Sequence, residues 1–165
     1  MKVYLDNDVV SDLARRRVPI ELAAMERIRA IEKQGKLILV TSEVTRREFN
    51  RAGLSKPEIE RVYASLQRVP LVEAHVHTGE SSCWDESGGG WYTPIFEDEP
   101  SWLRLLKLGI RDIDAHHIMV AIKTGCAIFL TRDGKTILNR KSEVEAEFPI
   151  RLYRPSEFLS QAELL

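Results

Sequence analysis

Cysteine is scarce in this chain: Cys83 and Cys126 are its only two. They lie far apart and in no CxxC or His-rich spacing. That argues against a disulfide scaffold and against a zinc site, and leaves two free thiols of a reducing compartment as the expectation. A surplus of charge of one sign is also missing. Lys and Arg number 24 and Asp and Glu 25, for a net charge of -1. The molecule as a whole is therefore not an electrostatic nucleic-acid binder, and any such binding needs a local basic patch. No apolar run approaches the roughly 20 residues that cross a bilayer. No separate apolar region precedes the first strand-like run, so neither a membrane span nor a signal peptide is expected, and the expected location is cytoplasmic. With 44% hydrophobic and 30% charged residues in a length of 165, the composition is that of an ordinary globular protein. It predicts one domain over residues 1–165 with a single core.

What the chain does have is an alternation of short apolar runs with amphipathic segments. Val3-Tyr4-Leu5 ends in Asp6 and turns at once into a helical pattern from Asp8 to about Arg17, stopped near Pro19. From Ile20 to Lys33 the apolar residues Leu22, Met25, Ile28 and Ile31 recur every third position, and Gly35 closes the run. That is the pattern of an amphipathic helix with a C-terminal glycine signal. Lys36 to Thr41 reads as a second buried strand, and Ser42 as the cap of a helix through Glu48. Ser55-Lys56-Pro57-Glu58 opens a further helix with proline just inside its start. Val69 to Val72 reads as a short third strand, which Pro70 assigns to an edge. After Ser101 a short helix carries Trp102, Leu105 and Leu106, and another starts at Asp112-Ile113-Asp114 and closes at Gly125. Ala127 to Thr131 is a fourth strand, Arg132-Asp133-Gly134 the turn beyond it, Ile150 to Tyr153 a last strand, and Pro155 the start of a terminal helix. The alternation predicts a three-layer α/β/α sandwich around a mostly parallel sheet of about five strands. Residues 79–100 break the pattern with Gly88-Gly89-Gly90, Trp84, Trp91, Tyr92, Phe96 and the acidic Glu97-Asp98-Glu99. A loop of that length reads either as a lid or partner surface, or as a surface excursion with its tryptophans tucked against the core.

In an open parallel sheet the carboxyl ends of the strands border the ligand crevice. Asp6 ends the first strand, and Asp133 lies just beyond the fourth. Asp114 begins the helix leading into the fourth strand; such a helix runs antiparallel to the strands, so its start lies at the same edge. Glu48 is in the first turns of the helix leaving the second strand, near that edge too. Four carboxylates from distant parts of the chain are thus predicted to meet. Grouped like charges oppose each other's ionisation. A hard divalent cation, Mg²⁺ or Mn²⁺, prefers carboxylate and water oxygens and removes that penalty. It also activates a water and neutralises charge on a phosphoryl group, so the expected chemistry is phosphodiester hydrolysis without a covalent intermediate. Taken singly, each acid has an ordinary role as well: turn or cap for Asp6, Asp114 and Asp133, solvated helix charge for Glu48.

Taken in order, Tyr4-Leu5-Asp6-Asn7-Asp8-Val9-Val10, Val44-Thr45-Arg46-Arg47-Glu48-Phe49, Asp114-Ala115-His116-His117-Ile118 through Ala121, and Phe129-Leu130-Thr131-Arg132-Asp133 resemble a PIN domain. The resemblance covers most of the chain and is most specific at Asp114 and at Thr131-Arg132-Asp133. It implies a metal-dependent ribonuclease on a parallel sheet. In the family's best-populated branch that is the toxin of a bacterial toxin–antitoxin pair, with RNA as substrate, an antitoxin protein as partner and a homodimer as the assembly. Carried over residue by residue, Asp6, Glu48, Asp114 and Asp133 are the catalytic and metal-holding acids, and Thr131 is a polar support. The chain departs from the family at Asp8, where Asn or Ser is commoner, which adds a negative charge or a ligand. Its 79–100 stretch is longer than a minimal PIN domain requires.

Asp112 is a candidate outer ligand, or else a solvated residue ahead of its helix. Arg46, Arg47, Arg51, Arg132 and Lys135 flank the expected crevice and are candidates for RNA phosphate contacts, or ordinary solvated charges. His116 and His117 read as helix packing or surface residues, and His75 and His77 as a pair with no third ligand beside them. Two other functions fit the same residues. Asp6-Asn7-Asp8-Val9-Val10 resembles the DxDx[TV] signature of haloacid-dehalogenase-like phosphatases, which makes Asp6 a nucleophile and Asp8 its general acid. Thr131-Arg132-Asp133 lacks the glycine that signature expects before the late aspartate. A PIN-like fold kept as a non-catalytic interaction module, with the aromatic loop as contact surface, is the third; it leaves clustered charge without a use.

Overall fold

Val3, Tyr4 and Leu5 have no exposed surface, as befits a strand covered on both faces. They form β1 (Lys2–Leu5), the middle strand of the sheet. The structure, a computed structural model, describes residues 1–42, 45, 48, 55, 57, 58, 61, 71, 72 and 100–162. The expectations for Arg46, Arg47 and Arg51, for His75 and His77, and for the 79–100 stretch short of Pro100 lie outside the described residues.

On one side β1 pairs with β2 (Ile38–Ser42), and the two-residue β3 (Leu71–Val72) adds to the far side of β2. On the other side β1 pairs with β4 (Ile128–Leu130), and β4 with β5 (Arg151–Tyr153). Every pairing is parallel, in the order β3-β2-β1-β4-β5. Four strands of three to five residues carry the sheet, and a two-residue segment extends it at the edge where the sequence pattern puts the third strand.

Among the described residues the helices are α1 (Asn7–Arg15), α2 (Pro19–Lys33), α3 (Pro100–Lys107), α4 (Asp112–Lys123), α5 (Lys141–Glu147) and α6 (Pro155–Ala162). Pro19 does more than stop α1: it is the first residue of α2, where a missing N–H costs nothing. Gly35 takes φ +74° just past α2, the left-handed turn that the sequence assigns to it. At Ser55 the N–H and hydroxyl both donate to Glu58 Oε2, at 3.0 and 2.8 Å, the return half of a capping box. Thr45, Glu48, Pro57, Glu58 and Arg61 are helical, as expected between β2 and β3.

Side chains alternate across a strand, so β1 feeds two cores. Val3 and Leu5 pack with Leu39, Ile128 and Leu130 under Val9, Met25, Ile28 and Phe158 of α1, α2 and α6. Tyr4 packs with Val40, Phe129 and Leu152 under Leu105, Ile118, Met119 and Val144 of α3, α4 and α5. Each such side chain contributes about 1.5–3 kcal/mol when fully buried, which is why both faces of the sheet are covered. The result is an α/β fold with helices on both faces of a parallel sheet and two core clusters in place of the expected single one. No helix among the described residues is long and apolar enough to cross a membrane.

Ser42 is the last residue of β2, and its Oγ lies 2.6 Å from the Tyr4 hydroxyl; the start of the helix that follows lies outside the described residues. The segment between Gly134 and Ile150, which carries no helical periodicity, holds a 3₁₀ turn (Leu138–Arg140) and α5. Helix α5 buries only Val144, so its sequence lacks the apolar stripe by which a helix is recognised.

Candidate functional site

Parallel strands end at one edge, so the residues that follow β1 and β4 meet. The Asp6 N–H donates to the Leu130 carbonyl at 3.0 Å. Its carboxylate is held at both oxygens: Oδ1 accepts the Asn7 N–H and Oδ2 the Thr131 hydroxyl, each at 2.8 Å. Asp6 is 6% exposed. Burial pushes its pKa up and Glu48 adds to the rise, while His117, Thr131 and Asn7 oppose it. Asp8, in the first turn of α1, turns back to the same edge. Its Oδ2 accepts the Arg132 N–H at 2.7 Å, while its Oδ1 and the neighbouring Asn7 Oδ1 are buried without a hydrogen-bond partner among the described residues. Burial, and then the charge of Asp6, raise Asp8 to about 8.

Beyond β4, Asp133 closes a turn of the Asx type. Its Oδ1 accepts the N–H groups of Lys135 and Thr136 at 2.8 and 2.9 Å, and its own N–H donates to Thr131 Oγ1 at 3.0 Å. Burial pushes Asp133 up, but these bonds, the Thr136 hydroxyl and Arg111 outweigh it and hold the carboxyl below its ordinary value. The Thr136 hydroxyl lies between two carboxylates, Asp133 Oδ2 and, at 3.0 Å, Asp114 Oδ2. A hydroxyl has one proton to donate, so it serves one of the two at a time. Arg111 reaches both, 3.6 Å from Asp114 Oδ2 and 3.8 Å from Asp133 Oδ2. Asp114 is raised, by burial first and by Asp6 and Asp133, against Thr136 and Arg111.

Glu48 joins the group through a histidine. Its Oε2 lies 2.9 Å from His117 Nε2, and the same nitrogen is 3.9 Å from Asp6 Oδ1. The other ring nitrogen is 2.8 Å from the Tyr4 hydroxyl, so a buried chain runs from Ser42 through Tyr4 and His117 to Glu48. Burial pulls His117 down, yet the Tyr4 oxygen, Glu48 and Asp6 together hold it well above the usual histidine value.

Thr131 is fully buried between Asp6 and the Asp133 N–H, and so supports both. Arg132 pairs inside the fold: its Nη2 lies 2.9 Å from Oδ1 of Asp12, a carboxylate only 3% exposed, while 26% of the arginine side chain remains exposed. Lys135 is exposed beside the Asp133 turn, and Asp112 is exposed at the start of α4. The sequence reading gave no site role to Asn7, Arg111 or Thr136, and took His117 for a helix packing or surface residue. His117 had a usable signal: it lies three residues after Asp114 on one helix, hence on the same face. His116 is a packing residue as read, stacked 6.0 Å from Trp102.

The donor set suits a hard divalent cation in its chemistry. The donors are carboxylate oxygens; Asp6, Asp8 and Asp114 are raised in part by like charge; and two adjacent buried oxygens lack partners among the described residues. The carboxylates of Asp114, Asp133 and Glu48 are directed to Thr136, Arg111 and His117, and among the described residues no three His, Cys, Asp or Glu are grouped closely enough to enclose an ion. Fold and site together define an α/β protein with acidic side chains gathered along the carboxyl edge of a parallel sheet. No protein family, no curated protein and no solved structure matches the chain.

Proposed function

We propose that this chain is a Mg²⁺- or Mn²⁺-dependent ribonuclease of PIN-like architecture, in which Asp6, Glu48, Asp114 and Asp133 hold the cation. One observation carries the reading: Arg111 and the Thr136 hydroxyl each reach both Asp114 and Asp133, and Asp114, raised first by burial, is raised further by Asp6 and Asp133. Carboxylates from three segments therefore bear on one another. That is unfavourable unless a positive charge is brought in. When bound, the cation neutralises charge building on a phosphoryl group and lowers the pKa of the attacking water. The chain's own groups do the positioning. Thr131 fixes Asp6, Thr136 and Arg111 tie Asp114 to Asp133, and His117 holds Glu48 toward Asp6. The toxin of a toxin–antitoxin pair, homodimeric and neutralised by a protein partner, is the narrower form of this reading.

The phosphatase alternative needs Asp6 as a nucleophile, and both Asp6 oxygens accept hydrogen bonds in a site that is 6% exposed. The interaction module gives the clustered acids no role. The test is cleavage of a mixed single-stranded and structured RNA pool in Mn²⁺, Mg²⁺ or chelator. Wild type is expected to cut with metal and not in chelator, and Asp114→Asn to lose about 100-fold or more. Inert wild-type protein that hydrolyses a small phosphomonoester in a reaction needing Asp6 but not Asp114 would overturn the reading in favour of the phosphatase.

A further inference from the structure

The carboxyl edge does not end at the acids. Leu130 pairs with Tyr153, so Arg154 leaves β5 level with Thr131, one strand spacing of about 4.8 Å further along the edge. Between that point and the turn after Asp133 lies an open cleft of about 380 Å³, lined by Gly134, Leu138, Asn139, Lys141, Arg154 and Glu157. Its character is opposite to that of the crevice. The Arg154 guanidinium lies over Gly134, where an added Cβ would sit 3.2 Å from it, so the glycine is what admits the cation beside the turn. That guanidinium has no ion-pair partner among the described residues. Lys141 stands opposite, its ammonium 4.1 Å from the centre of the Tyr153 ring and at the outer limit of pairing, 4.0 Å, with Glu145. The one acid on the wall, Glu157, directs its carboxylate to the Arg154 N–H at 3.1 Å, at the start of α6.

A crevice of carboxylates attracts one phosphoryl group through a cation but repels the rest of a polyanion. A strand that is cut there needs positive charge beside the cut. We propose that the Lys141–Arg154 cleft binds a backbone phosphate of the RNA strand next to the phosphodiester at the acid crevice. This rests on the ribonuclease reading and narrows it: the substrate is a polynucleotide engaged at a neighbouring phosphate as well as the reacting one, and not a mononucleotide or a phosphomonoester. Asn139 and the Leu138 side chain complete a wall that contacts the sugar without reading the base.

Anisotropy of a short labelled single-stranded RNA, with the full chain in chelator, tests this without requiring cleavage. The Lys141→Gln/Arg154→Gln double variant is expected to bind about tenfold more weakly at low salt, with a log–log salt slope shallower by about 1.4, two contacts at roughly 0.7 each. Arg154→Glu, which changes the charge by the same two units and leaves α5 untouched, should weaken binding to a similar extent, and Arg151→Gln, at the far end of β5, should bind as wild type. Equal affinity and slope for wild type, the double variant and Arg154→Glu would overturn the proposal. The two readings fail separately. Wild type that binds through this cleft yet never cuts RNA refutes the ribonuclease alone, whereas metal-dependent cutting with KM unchanged in the double variant refutes the cleft alone.

Discussion

Asp8 carries its charge at a disadvantage that pH should expose. Burial and Asp6 raise it to about 8 in the folded chain, against about 3.9 for a free Asp side chain. Between those values the folded state holds a proton that the unfolded state has released, so this residue's contribution to stability falls as pH rises through the window. Asp8→Asn removes the penalty while keeping an oxygen for the Arg132 N–H. In chelator the variant is expected to melt above wild type at pH 8, by on the order of 1 kcal/mol or about 2–4 °C, and to lose that margin toward pH 4. A melting series across that range checks it; coincident melts at pH 8 would show that the folded chain holds Asp8 ionised without cost.

Helix α6 is held by a carboxylate from α2. Glu21, 5% exposed, accepts both the N–H and the hydroxyl of Ser156, each at 2.9 Å. Glu21→Ala leaves the first turn of α6 without those acceptors and is expected to cost about 1–3 kcal/mol, read as a lower urea midpoint with faster amide exchange in α6. A change under about 0.5 kcal/mol would mean that water replaces the carboxylate. Such tertiary partnerships mark where the sequence stopped being legible. The strands, α2 with its Gly35 stop, and the strand-end positions of Asp6, Thr131 and Asp133 follow from local periodicity and parallel geometry, and could be read directly. Arg132 could not, because its pairing with Asp12 depends on α1 lying beside the β4 turn. The joining of Glu48 to His117, 69 residues apart, was equally hidden. Helix α5 escaped because a helix that buries one residue leaves no period to see.

For the molecule as a whole, a near-neutral net charge conceals a division: acids at the ends of β1 and β4, the basic Arg154 and Lys141 beside the end of β5. Ligand linkage tests the acid half directly. A cation that binds only the folded state stabilises it by about 2.7 kcal/mol at a hundredfold excess over Kd, so Mn²⁺ is expected to raise the melting temperature of wild type at pH 8. Asp6→Asn and Asp114→Asn should each reduce that rise, and an equal rise in all three proteins would place the ion elsewhere. The central position of β1 bears on when this chemistry becomes available. Val3 leaves the ribosome long before its partner Ile128, and Thr131, which clamps Asp6, follows later still. Distant parallel pairing of this kind also forms slowly. A nascent chain that stops short of Ile128 therefore has half a sheet and no clamp on Asp6, so on the proposed ribonuclease reading the site would be unformed until β4 has been made.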